Sequence, residues 1–223
     1  MFIGHYALGF AAKRVAPTVS LGALFAACQL ADLIWPTLVL FGVESFRIVP
    51  GATAVTPLVF THYPYSHSLL TLAVWGILFG LGYNLLTRSK LIAGVTIALL
   101  VVSHWVLDVI VHVPDMPVWP AVLFGPSPME GFSLWNSVPG SIAVEIGLFL
   151  IGAGIYARIT MPKDRVGSVG FLSLVIFLLI IYAANLFGPP PPSAGTVVWS
   201  AEALWLVVLW GFWLDRHRKP RVL

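Results

Sequence analysis

The chain has 223 residues, 59% hydrophobic and 9% charged, with a formal net charge of +3 and a mean hydropathy of +0.94. Soluble domains carry about 25% charged residues, so a water-facing globule is excluded and an integral membrane protein is implied. The basic residues collect between apolar segments, which excludes a nucleic-acid-binding stripe, and the single cysteine, Cys28, excludes an internal disulfide.

The opening segment, MFIGHYALGFAAKRVAP, places Lys13 and Arg14 after its apolar run, the reverse of a cleaved signal peptide. Two placements are open for it. Residues 2–15 could form a short helix that descends to a turn, where Pro17 breaks it and the first span climbs back. His5 would then sit about 16 Å above that turn. Alternatively, the segment lies flat on the membrane surface and His5 is merely solvated.

Apolar runs of spanning length, about 20 residues each, follow at approximately 19–43, 66–87, 91–112, 138–160, 168–187 and 196–214. Lys13 and Arg14 precede the first, and Arg88 and Lys90 separate the second from the third. Arg158, Lys163 and Arg165 separate the fourth from the fifth, and Arg216, Arg218, Lys219 and Arg221 follow the sixth. The alternate loops, 44–65, 113–137 and 188–195, contain only Arg47. The positive-inside rule then places both termini in the cytoplasm. The predicted fold class is all-α: a polytopic bundle of about six transmembrane helices plus a short N-terminal helix, forming a single domain over residues 1–223.

Within the spans, Gly76 and Gly80 make a G-x-x-x-G face suited to close helix packing. The loop 113–137 is rich in proline and carries Trp119 and Trp135. It reads either as an interfacial loop with aromatic anchors or as a lid over whatever the helices hold. The run FGPPPPSAG is a short, stiff turn.

Ionisable residues inside a membrane are costly, so each is a candidate for function. Counting the helical rise from the basic residues puts Asp32, His104, Glu145 and Glu202 at roughly 20 Å, with Asp108 at about 27 Å. His104 and Asp108, four apart in SHWVLDVIVH, share a helix face, while His112 is rotated away toward the water interface. His62 and His67, in THYPYSHSLL, open the second span from the same outer side. Ser66 is expected to cap that helix, with His67 in its first turn. Imidazoles and carboxylates converging at one level point to a divalent metal ion, zinc or non-haem iron or manganese.

THYPYSHSLL followed by SHWVLDVIVHVPDMPVWP resembles the H-x4-H-S and H-x-x-L-D signatures of the bacterial membrane-bound metal-dependent hydrolases, the YdjM-like family. An early histidine and a small-residue helix ending in an acidic segment are also features of that family. Here they correspond to His5 and to LGALFAACQLADLIWP, which ends near Asp32. Where the family pattern places a second acid, this chain has Ile34. The resemblance covers roughly residues 1–125. It implies a metal site lined by His5, Asp32, His62, His67, His104 and Asp108, and a bacterial inner-membrane location. It also implies hydrolysis of a phosphoester, through the family's likeness to zinc-dependent phospholipase C proteins.

The expected function is therefore a zinc-dependent hydrolase acting on an amphiphilic or lipid substrate at the outer face. Asp32 belongs to its catalytic centre, and Glu145 is placed to accept a proton. Two other readings are open. One is an ion- or proton-coupled transporter using His104, Asp108, Glu145 and Glu202. The other is a structural protein whose His–Asp pair merely joins helices.

Overall fold

A computed structural model describes residues 1–221. It is an all-α bundle in which five helices are long and apolar enough to cross a membrane, six if one bent pair is counted as a span.

The chain opens with α1 (Ile3–Ala12), whose Ile3, His5, Tyr6 and Phe10 are fully buried. This is the hairpin arrangement, and it puts α1 inside the bundle rather than flat on a surface. A turn through residues 13–20 leads to α2 (Leu21–Cys28), capped by Ser20, whose hydroxyl accepts the Ala23 N–H. The first expected span is not continuous. It breaks at Gln29 and resumes as α3 (Leu30–Leu40), bent by 59°. Pro36 lies inside α3, and without an N–H it leaves the Asp32 carbonyl, four residues back, with no helical donor.

Residues 45–62 form an antiparallel hairpin of β1 (Ser45–Ile48) and β2 (Leu58–His62). The one-turn α4 (Pro64–His67) and then α5 (Leu69–Thr87) follow. The cap of α5 is Ser68, which accepts the Thr71 N–H, and not Ser66 as the sequence suggested. The extended backbone at Ser68 ends α4 one residue after His67, so His67 closes one helix instead of opening the next.

α5 packs antiparallel on α6 (Leu91–Val111) through the two glycines read from the sequence. A Cβ on Gly80 would lie 2.4 Å from the Gly94 carbonyl oxygen, and one on Gly76 2.8 Å from that of Ala98. No larger residue permits that approach. Beyond α6, the loop contains β3 (Met116–Pro117), α7 (Ala121–Phe124), β4 (Met129–Glu130) and a short 3-10 turn at Leu134–Asn136. Bonds from Phe132 N–H to the Val109 carbonyl and from Ser133 N–H to the His112 carbonyl fold it back over the end of α6.

α8 (Val138–Ile159) descends beside α1, and Gly152 lets the two backbones meet, since a Cβ there would lie 2.2 Å from the Ala7 carbonyl oxygen. After β5 (Thr160–Pro162) comes α9 (Arg165–Phe187), capped by Asp164. His217 and the Gly167 N–H both hydrogen-bond the Asp164 carboxylate, holding its pKa below the ordinary range. The last expected span is α10 (Ala194–Glu202) followed by α11 (Leu204–His217), and β6 (Arg218–Pro220) returns to pair with β5.

The core is aromatic along α1. Phe10 meets Phe25 of α2, Phe149 and Tyr156 of α8 and Phe171 of α9, with ring centroids 4.9 to 6.1 Å apart. Below it the basic end is sealed. Lys13 Nζ donates to Asp215 at 2.8 Å and to the Val19 carbonyl at 2.6 Å, and the Arg218 guanidinium lies against the rings of Tyr156 and Phe171. Exposed Ile77, Leu81, Leu85, Leu150, Leu172, Ile176 and Ile180 form the outer belt of the long helices, as a lipid-facing surface requires.

Candidate metal centre

The site is built on the face of α6 that carries His104 and Asp108, both buried. The break between α2 and α3 brings the Cys28 carbonyl to 2.8 Å from His104 Nδ1. A carbonyl only accepts, so Nδ1 carries the proton and Nε2 of the neutral ring is a bare lone pair.

His67 is fixed the same way by a longer chain. Its Nδ1 lies 2.7 Å from Ser66 Oγ, and Ser66 Oγ lies 2.5 Å from Glu44 Oε2. The Glu44 carboxylate also receives the N–H groups of Tyr65 and Ser66 at 2.8 and 2.9 Å. The Ser66 hydroxyl gives its one proton to Glu44 and so accepts from His67 Nδ1–H. In the neutral ring, His67 Nε2 is then also a bare lone pair. Support of this kind, orienting an imidazole through its other nitrogen, is what a metal-binding histidine requires.

The two Nε2 atoms face carboxylates rather than donors. His104 Nε2 lies 3.1 Å from Asp108 Oδ2 and 3.7 Å from Asp32 Oδ1. His67 Nε2 lies 3.4 Å from Asp32 Oδ1 and 3.9 Å from Asp108 Oδ2. Although the His104–Asp108 approach is short, it misses hydrogen-bond geometry, and His104 Nε2 is left without a partner. Four acceptors meeting in a buried space repel one another. A divalent cation among them would convert that repulsion into coordination. His5, His104 and Asp108 form one set of donor atoms within 4.8 Å of one another, and Asp32, His67 and His104 form another, so His104 joins the two. The residues fit a metal ion.

His5 stacks flat on His104, with centroids 3.7 Å apart, and its Nε2 lies 3.1 Å from Asp108 Oδ1. The Met1 amino group pairs with the same oxygen, so Oδ2 is the Asp108 oxygen turned toward His67 and His104.

Of the residues expected from sequence, His5, Asp32, His67, His104 and Asp108 come together. His62 does not: it is exposed at the end of β2, its ring edge-on to Tyr65 at 6.2 Å. Glu145 lies nearby and is buried. Its Oε2 accepts the backbone N–H groups of Phe2 (2.7 Å) and Gly4 (3.3 Å), tying α1 to α8. Glu202 stands apart, accepting the Thr37 hydroxyl at 2.6 Å. His112 is buried rather than at a water interface. It is turned away from the cluster, bonded through Nδ1 to Asp115 at 2.9 Å and packed on Trp135. The sequence reading missed Glu44 and the Cys28 carbonyl. One signal was available for Glu44, the only acidic residue in 44–65.

Above the cluster opens a cavity of about 650 Å³. Asp32, His67, Asp108 and Glu145 lie among its walls, together with Trp35, Phe60 and Trp135, the tip of the β1–β2 hairpin and the proline run 189–192. The loop 113–137 thus contributes Trp135 to the roof. The fold and the cluster define the class: an all-α bundle of membrane-spanning length with a buried His/Asp group able to hold a metal ion. No family model, curated protein or solved structure matches the chain.

Proposed function

We propose that the chain is a membrane-embedded, metal-dependent hydrolase of the bacterial inner membrane, with its cavity open to the outer face and a phosphoester or lipid-like amphiphile as substrate. The observation that carries this reading is the pair of locked imidazoles, His67 and His104, whose bare Nε2 atoms meet two carboxylates in a buried space. Zinc suits that donor set.

Asp32, His67, His104 and Asp108 hold the ion, and His5 orients Asp108 through Oδ1. A divalent ion bound there would supply Lewis acidity. Glu145 takes the proton of a water. Its Oε2 is held by backbone N–H groups, while Oε1 has no protein donor among the described residues. Trp35 and Phe60 give an acyl chain apolar walls, and the cluster at the floor receives the polar end.

A transporter would need polar groups through to the other side. Between the cluster and the basic end the core is instead packed with Phe10, Leu24, Phe25, Ile97 and Phe149, which supports a site reached from one side only.

The test uses purified protein in sealed vesicles supplied with outer-leaflet ester and phosphoester lipids. Turnover that stops on chelation and returns with zinc, with the proton gradient unchanged, is the expected result. Movement of protons or solute with no chelator-sensitive cleavage overturns the proposal.

A further inference from the structure

The charges around the cavity narrow the substrate further, and this step rests on the hydrolase reading. Among the described residues, no lysine or arginine lines the cavity, whereas Asp32, Asp108 and Glu145 all do. The ammonium group of Met1 is already paired with Asp108. A divalent ion and the Met1 ammonium together are balanced by Asp32, Asp108 and Glu145, so no positive charge is left over for an anionic head group. Sites that take phosphate groups surround them with arginine, lysine or free helix N-termini; no arginine or lysine lines this cavity, and the helix starts at its walls, of α1 and α10, already donate to Glu145 and Ser193. The walls otherwise provide apolar surface and the uncharged polar side chains of Thr53, Thr56, Thr196 and Ser200. Trp35 and Tyr182 are both more than nine-tenths buried, and their indole N–H and phenol O–H find no acceptor in the protein.

We infer that the cavity takes an acyl amphiphile with an uncharged head group, and that the bond cleaved is a carboxylic ester rather than a phosphoester. Water adds to the ester carbonyl, the acyl carbon–oxygen bond breaks, and the products are a carboxylic acid and an alcohol. The ester enters the cavity uncharged, so the three carboxylates that line it do not oppose its binding. A phosphomonoester or phosphodiester brings its charge into the ground state, where Asp32, Asp108 and Glu145 oppose it.

The experiment is a calorimetric binding titration of the full chain in neutral detergent, with octanoylglycerol and with octyl phosphate. It is run on zinc-loaded and on chelated protein. The neutral amphiphile should bind more tightly, by about tenfold or more, in both forms. Ser200→Lys, which puts a cation on an exposed wall position of α10 outside the metal cluster, should raise the affinity for octyl phosphate and narrow the gap. Equal or tighter binding of octyl phosphate by the unmodified chain, or no saturable binding of either, overturns the inference. The two proposals fail separately. A neutral preference without release of octanoate sinks the hydrolase reading and keeps the binding preference, whereas chelator-sensitive cleavage of a phosphoester lipid in preference to octanoylglycerol does the reverse.

Discussion

Ser66 touches no candidate ligand atom, yet its hydroxyl decides which nitrogen of His67 is free. Ser66→Ala removes that lock and deprives the buried Glu44 carboxylate of a donor. Zinc affinity, measured against a competing chelator, should fall about 10- to 100-fold while the protein stays folded. Unchanged affinity would show that the tautomer is not set by this chain. His104→Ala should abolish binding and His112→Ala should leave it, because His112 is committed to Asp115 and Trp135. Equal loss in both would place the ion elsewhere. That five of the six residues expected at the site come together was legible because helical spacing and depth are local arithmetic. His62 was not, because its direction depends on the pairing of β1 with β2, which brings it to an exposed strand end.

At the scale of elements, α1 reaches the centre only because α8 carries glycine where the backbones meet. Gly152→Ala would place a Cβ 2.2 Å from the Ala7 carbonyl oxygen, whereas Gly154→Ala meets nothing within 4 Å. In ordinary helices both changes gain about 1 kcal/mol in propensity. Gly154→Ala should therefore be neutral or stabilising. Gly152→Ala should destabilise by about 1–3 kcal/mol and lower zinc content by shifting α1 with His5. Thermal unfolding with metal analysis of both variants checks this, and identical behaviour would contradict the close approach. The spans were legible from hydropathy, whereas Pro17 and the basic turn left the hairpin as one of two open placements, decided by the burial of α1. The break at Gln29 was not, since its most direct counterpart is a tertiary bond: the Cys28 carbonyl turned to His104. The cap at Ser68 was hidden for a similar reason, because Ser66, an equally good capping residue, is held by Glu44.

For the whole molecule, the charge asymmetry legible in the loops predicts that the basic end faces the cytoplasm. A reporter fused to the end of the chain should be active only there, and periplasmic activity would invert the account of which side the cavity opens to. The cavity itself was not legible, because its walls combine α3, α9, α10, the hairpin and the proline run, segments far apart in sequence. The central claim is that the buried His/Asp cluster holds a divalent ion. It is tested most directly by elemental analysis of the purified chain and of Asp108→Asn, each exposed to zinc and then dialysed against metal-free buffer. The unmodified chain should retain near-stoichiometric zinc and the variant should lose it. A metal-free unmodified chain, or equal zinc in both, would contradict the account.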